Sequence, residues 1–561
     1  MRLSRIEIEN FKGIGTAQVI DLKPITLLFG PNSAGKSTIL QSLHYLREIL
    51  ERRNADPDQT IAGGLIDLGG FATLVHGHDL NLAIKIKVWI DLDYEQGNEH
   101  LPLNSEGILT DVEFQELHIR YLDGVNMALT MVTAVQQVGL SLEVRWSDLI
   151  RGPYVSVMSV EIDGDSVAAI HSPPQTGRAQ LTDFNFAHPL LSPIIDPYSE
   201  PDGDDVAVSS PLENEIAQLA REVNLDQTAS ITPAGEFRIA VTTRMGAVPD
   251  IDRELSVDLR DPDVKKFEME AKTPRVRGLI RLLDELVLGP VRIVRDYLSA
   301  MTYIGPLRKI PSRSYRPRLS PDETRWAQGL AAWDLLYTDT SGKLLDEVNA
   351  WLSGDERLRT GYRLEKIEFK EIPVPSRFHQ LLDRGLTEDD LGDLQELYAT
   401  LKSRTEIALL DFEKGIIVAP GDVGVGISQM VPVIVGCLRD NRGIVAIEQP
   451  ELHVHPAIQV GLGDLFIRAI QPDESLYPGK SLLIETHSEH IILRLLRRIR
   501  ETSEGNLPPG VTGLEPNDIS VIYVEGSDDG VQFRALRVDR DGEFLDQWPK
   551  GFFEERAGEL F

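Results

Sequence analysis

The chain has 561 residues, 42% of them hydrophobic and 26% charged, the balance of a soluble globular protein large enough for more than one lobe. Asp and Glu outnumber Lys and Arg by 88 to 57, a net charge of −31, so the chain as a whole supplies no long-range attraction to a polyphosphate backbone. No apolar run is long enough for a membrane helix, the charged start MRLSRIEIENF is unlike a signal peptide, and a single cysteine, Cys437, fits a reducing cytoplasm.

The first fifty residues spell strand, turn, strand, helix. Ile25–Phe29 (ITLLF) has the length and apolarity of a buried strand. Gly30, Pro31, Asn32, Ser33, Ala34, Gly35, Lys36, Ser37 and Thr38 follow, then Ile39, Leu40, Leu43, Leu46, Ile49 and Leu50 at helical spacing. A G-x-x-x-x-G-K-S loop between a strand and a helix is the context that a phosphate-binding loop requires. Its glycines let the backbone wrap closely, so that amides and the helix N-terminus face phosphates. Lys36 is then placed to reach β- and γ-phosphates, and Ser37 to put its hydroxyl on Mg²⁺. The bland alternative is a chance glycine-rich turn, and the matching flanks weigh against it.

The middle of the chain is less regular. Residues 82–92, 117–121 and 140–146 alternate apolar and polar positions, which predicts half-buried antiparallel strands. The polar, proline-bearing stretch 192–213 reads as a long loop. Between 276 and 303, Leu279, Leu282, Leu283 and Leu286 recur at helical spacing. His76 and His78 read as turn residues. Heptads are not sustained anywhere, so a long coiled-coil arm is not expected.

The last third returns to compact units. Gly424, Gly426, Ser428 and Gln429 precede an apolar helix over 430–438, and the helix start offers a second anion-binding site. Cys437 reads as a core residue of that helix. Ile444–Glu448 has the pattern of a buried parallel strand and runs into Gln449, Pro450 and Glu451. A carboxylate at such a strand end, here Glu448, can hold Mg²⁺ opposite the phosphate loop. A second apolar strand, Ser481–Glu485, leads to His487, which can contact a γ-phosphate or the attacking water. His453, His455, His487 and His490 could suggest zinc, but no cysteines accompany them. Glu525, Asp528 and Asp529 follow a strand over 519–524, and too little chain follows for a metal nuclease domain. Basic clusters that could touch DNA are Arg308, Lys309, Arg313, Arg316 and Arg318, and Arg494, Arg497, Arg498 and Arg500. A solvated face is the competing reading of each.

The order of these four elements resembles the ABC-type AAA-family ATPases of the RecF, SMC and overcoming-lysogenization-defect (OLD) group. Ile6-Glu-Ile-Glu-Asn10-Phe11-Lys12 is similar to that group's first strand, where a basic residue lies near the nucleotide. By resemblance, residues 30–38 are Walker A, Ile444–Glu448 is Walker B, 424–429 is the signature and His487 the switch histidine. Glu451 and the residues up to Pro456 would occupy the loop that crosses a dimer interface. Tyr303-Ile-Gly-Pro-Leu-Arg308 and the tail from Trp548 are similar to a bacterial subgroup with a small C-terminal module of unknown function.

The resemblance implies an α/β P-loop NTPase with an ABC-type head: a mixed, mainly parallel sheet with helices, an antiparallel β subdomain and a helical lobe. The expected divisions are the N-terminal part of the head at 1–80, a β-rich and helical insert at 81–300 and a helical connection at 301–415. The C-terminal part of the head follows at 416–505, and a small module at 506–561. It implies ATP and Mg²⁺ as ligands and a homodimer or higher oligomer in which Ser428 binds the γ-phosphate held by the partner copy. It also implies cytoplasmic action without a membrane, on a separate effector such as a nuclease in antiphage defence. A RecF-like ATPase that binds DNA directly is the alternative, as is a scaffold that binds ATP without useful turnover. One position departs from the family: Gln449 stands where a glutamate usually orients the attacking water. An amide cannot accept a proton as a carboxylate does, so slow hydrolysis is expected unless Glu451 or His487 takes that part.

Overall fold

The computed structural model describes the chain except residues 58, 61–65, 93–134, 175–178, 186, 190–238, 259–273, 313–314, 321, 356, 388–389, 440–442, 472–479, 528–529 and 549–561. The expected strand at 117–121 and loop at 192–213 lie outside the described residues.

A six-stranded sheet forms the centre. Its strands are β1 (Ile25–Phe29), β2 (Thr302–Ile304), β3 (Ile444–Glu448), β4 (Ser481–Glu485), β5 (Ile519–Ser527) and β6 (Gly530–Leu536), in the order β2-β3-β4-β1-β5-β6. All neighbours run parallel except the β5–β6 hairpin. The apolar runs of β1, β3 and β4 follow from burial on both faces. Alternate side chains feed two separate cores. Leu28, Ile444, Ala446, Leu483, Ile522 and Val524 point to one. Ile25, Leu27, Phe29, Val445, Ile447, Leu482 and Ile484 point to the other.

The first core is roofed by helices α1 (Ser37–Arg52) and α2 (Pro274–Ser299) and by a nine-stranded antiparallel sheet. That sheet joins Arg2–Glu9 and Gln18–Asp21 to seven strands between 84 and 258, with Arg2–Glu9 paired to Ile84–Asp91. The second core is covered by α3 (Val425–Leu438), α4 (Pro456–Ile470) and α5 (Glu489–Ser503). A three-stranded sheet, Tyr362–Glu371, Lys402–Asp411 and Ile416–Val418, packs its Leu364, Ile407 and Leu409 into the same core. Leu27 and Leu28 are fully buried on opposite faces of one strand. Truncating either to Ala removes about 2–5 kcal/mol of stability.

The α/β class and the mixed, mainly parallel sheet are those expected. Strand pairing crosses two of the expected divisions and adds strands to a third. The cut at 80/81 falls inside one antiparallel sheet, because Arg2–Glu9 needs Ile84–Asp91 as its hydrogen-bonding neighbour. The region 301–415 is not only helical: it supplies β2 and a long hairpin. Within the stretch expected as a small module at 506–561, β5 lies directly beside β1 in the central sheet.

Candidate functional site

Strand β1 ends at the phosphate loop, and the backbone there takes forms that suit glycine. Gly30 has φ +145° and Gly35 φ +98°. Helix α1 begins at Ser37 with no side-chain cap, and the Thr38 N–H donates to Gly35 O at 3.0 Å, so the loop and the helix start form one turn whose N-terminal end suits an anion. Lys36 is buried, and its Nζ donates to the carbonyls of Gly30 at 3.1 Å and Pro31 at 2.7 Å. Burial lowers the Lys36 pKa, and the charges of Glu485 and Glu451 oppose that shift.

The neighbouring strand brings the acids. Ser37 Oγ donates to Glu485 Oε2 at 2.6 Å, and Glu485 stands directly opposite Glu448 in the parallel register of β3 and β4. Burial first, and then the Glu485 charge, raise the Glu448 pKa to about 7. Two carboxylates and one hydroxyl at the loop are hard oxygen donors, a set that suits Mg²⁺. Glu485 is the site residue that sequence reasoning missed. Its position at a strand end was visible, but its pairing with Glu448 needs the strand order.

The turn after β3 is pinned from several sides. Gln449 has φ +45° and donates its N–H to Glu485 O at 2.8 Å. Arg308 Nη2 donates to the carbonyls of Glu448 at 2.6 Å and Gln449 at 3.2 Å. Burial lowers the Arg308 pKa to about 10, against the pull of Glu451 and Glu448. Glu451 turns inward and binds the turn after β4. Its Oε1 accepts the His487 N–H at 2.7 Å and its Oε2 the Thr486 hydroxyl at 2.9 Å. The carboxylate is thus engaged within its own chain, while His453 and His455 of the same loop stay exposed. We expect Glu451→Ala to strand both donors and cost about 1–3 kcal/mol, read as a lower urea midpoint. His487 is kept neutral: burial and then the Lys36 charge lower its pKa, and its buried Nε2 has no hydrogen-bond partner among the described residues.

Lys12 sits in a tight turn with φ +50°, its N–H on Leu74 O at 2.6 Å. Burial lowers its pKa, opposed by Asp67. The signature segment departs from its expected geometry. Ser428 is 1% exposed and donates inward to Pro420 O at 2.6 Å, because the apolar helix behind it sinks into the second core. Gln429 Nε2 likewise donates inward, to Arg308 O at 3.3 Å. The exposed part is the helix start, Gly424 and Val425, with Gly426 half-buried.

The expected basic patches are mostly satisfied internally. Arg494 and Arg498 both bind Asp464, and Arg497 binds Glu501. Arg500 bonds Asp541 O at 2.8 Å and pairs with Glu543 at 3.7 Å. Arg308 is buried, Arg318 pairs with Asp322, and Arg313 lies outside the described residues.

Residues 1–124 match the family described as "AAA ATPase domain". Residues 333–494 match "AAA domain, putative AbiEii toxin, Type IV TA system". Residues 514–561 match a family described as a protein of unknown function. No curated protein matches the chain. Solved structures of similar shape include an SMC head bound to the C-terminal winged-helix domain of ScpA, at 10% identity and a TM-score of 0.35, covering 96% of this chain and 99% of that one. The SMC head domain from Thermotoga maritima is 9% identical, with a TM-score of 0.32 over 96% and 100% of the two chains. An SMC head with an extended coiled coil, bound to the C-terminal domain of ScpA derived from Pyrococcus furiosus, is 10% identical, with a TM-score of 0.33 over 100% and 98%.

A phosphate loop at the end of a central parallel strand, inside one AAA-type match and with its partner strands inside a second, defines an ATP-hydrolysing P-loop ATPase. The two AAA-type matches divide the site between them: residues 1–124 hold the phosphate loop, and residues 333–494 hold β3 and β4. Among the described residues, no helix is long and apolar enough to cross a membrane.

Proposed function

We propose that this ATPase is a nucleotide-operated switch: two copies close on ATP, part after hydrolysis, and so control a separate effector in bacterial antiphage defence. One observation carries the reading. Lys36, Ser37, Glu448, Glu485 and His487 gather at the ends of the adjoining strands β1, β4 and β3. In the head so assigned, Lys36 exchanges its carbonyl partners for phosphate oxygens, and the amides from Gly35 to Thr38 hold the phosphates. Lys12, on the turn beside the loop, adds positive charge near the nucleotide. Ser37, Glu448 and Glu485 would hold Mg²⁺, which supplies charge neutralisation of the phosphates when bound. Neutral His487, held by Glu451 through the backbone, orients the attacking water or the γ-phosphate. Gln449 occupies the usual place of the base, so turnover is slow and the closed state long-lived.

A second copy is needed because the start of α3 is exposed, and a fourteen-residue helix leaves its first amides without intrahelical acceptors. Gly424, Val425 and Gly426 present those amides to the partner's nucleotide, in the role expected of the Ser428 hydroxyl. ATP has a γ-phosphate to bridge the two heads and ADP does not. The match at 333–494, with its toxin–antitoxin description, supports a defence role with a separate effector, and the lone buried Cys437 supports a cytoplasmic setting. Direct DNA binding is the weaker reading, since most of the basic side chains named above are paired or buried. Light scattering of the Glu448→Gln protein tests the switch. We expect twice the monomer mass with ATP and Mg²⁺ and the monomer mass with ADP; a mass indifferent to ATP overturns the dimer.

A further inference from the structure

We propose that the C-terminal β5–β6 hairpin and Trp548 are positioning elements of the phosphate loop, and that nucleotide affinity is set in part by this segment. The hairpin belongs to the stretch that matches a family of unknown function. The proposal rests on the reading of residues 30–38 as the nucleotide loop.

Strand β1 has two neighbours. β4 brings Glu485 to one side, and β5 closes the other, paired in parallel from Ile519 opposite Ile25 to Tyr523 opposite Phe29. Beyond that register the hairpin touches the loop itself. A Cβ on Gly30 would lie 2.2 Å from Val524 O, so the first loop residue is held against the β5 backbone. Val531, near the start of β6, fits between two glycines. A Cβ on Gly35 would lie 2.8 Å from its Cγ2, and a Cβ on Gly13 only 2.6 Å from the same methyl. The Val531 N–H also donates to Gly13 O at 2.8 Å, and Ile14 bridges to Gly530. One valine therefore joins the Lys12 turn to the residue preceding Lys36. Trp548 seals the far side: its ring meets Phe29, the last residue of β1, edge-on at 5.5 Å, and Phe544 at 4.7 Å.

These contacts bear on the loop at its entrance, at its pivot before Lys36, and from behind. A close-packed wall of this kind transmits small displacements instead of absorbing them. Shortening Val531 removes the methyls that hold Gly35 and the Lys12 turn in place. A loop misplaced by a fraction of an ångström binds phosphates less well, while the acids on β3 and β4 stay where they are.

The test is made on the full chain with a fluorescent ATP analogue and steady-state kinetics. Val531→Ala is expected to weaken analogue binding and raise KM roughly tenfold with kcat changed less than about twofold. Val531→Ile should restore affinity. Nucleotide should change the tryptophan emission of the parent protein, and Trp548→Phe should lose most of that change. A Val531→Ala protein that unfolds more easily but binds nucleotide as the parent does would show mere fold support and overturn the proposal. So would an undiminished emission change in Trp548→Phe. Lys36→Ala, run alongside, is expected to lose analogue binding outright; retained binding there would overturn the reading of the loop itself, and the proposal with it.

Discussion

Glu485→Gln is expected to lower ATP turnover by roughly 10²–10³-fold while nucleotide binding survives. The carboxylate takes the Ser37 hydroxyl at 2.6 Å and lies opposite Glu448 across two parallel strands. An amide of the same shape keeps the packing but loses the charge that would hold a divalent cation, and its NH₂ would face the Ser37 hydroxyl or the cation. Glu448→Gln should behave alike, since the two acids share one site and the Glu485 charge adds to the rise of the Glu448 pKa. The double variant should lose little more than either single one, as expected of residues that act as a unit. Phosphate release measured beside analogue binding decides the matter. Near-parental turnover in Glu485→Gln would remove that residue from the reaction, and a loss of binding equal to the loss of rate would make its role structural.

Gln449→Glu is expected to raise turnover by roughly 10²-fold, the lower end of what a positioned general base contributes. The backbone at 449 is fixed by the Glu485 carbonyl on one side and Arg308 on the other, so the new side chain should start from the same place as the old. Its carboxylate would stand beside Glu448 and Glu485, and like charges raise one another's pKa. The carboxylate works as a base only when ionised, so the gain should be larger at pH 8 than at pH 6. A rate equal to or below the parent's at both pH values would reject slow hydrolysis and leave the water to a group already present, Glu451 or His487.

The chemistry near residue 30 was legible because it is local. A strand, a loop with glycines at fixed offsets and a helix lie within thirty residues, and each leaves its own pattern in the chain. The apolar runs of β3 and β4 were equally plain, since burial on both faces leaves no alternation to misread. Helix α2 and the half-buried strands over Ile84–Asp91 and Gln137–Ser147 also followed from periodicity.

Ser428, Glu451 and Glu485 show where local reading stops. The sequence placed Ser428 at a helix start, but whether its hydroxyl faced solvent depended on how deeply α3 sank into the second core. It offered Glu451 for a loop between subunits, and only the fold turned that carboxylate onto the His487 backbone. Glu485 had a place at the end of a strand but no role, because its partners Ser37 and Glu448 come from other strands of the sheet.

Chain order likewise hid the two joints that most affect the expected divisions. Arg2–Glu9 pairs with a strand some eighty residues later, and β5, nearly five hundred residues after β1, lies directly beside it. The sequence by itself determined the phosphate loop, the α/β class and the apolar strands, since each is written in contiguous residues with a fixed period. Only the tertiary structure decided which acids meet at the loop, which way the signature helix faces and what supports Gly30 and Gly35. Those outcomes depend on strand order and register, and hydrogen bonding between strands carries no mark in the spacing of residues along the chain.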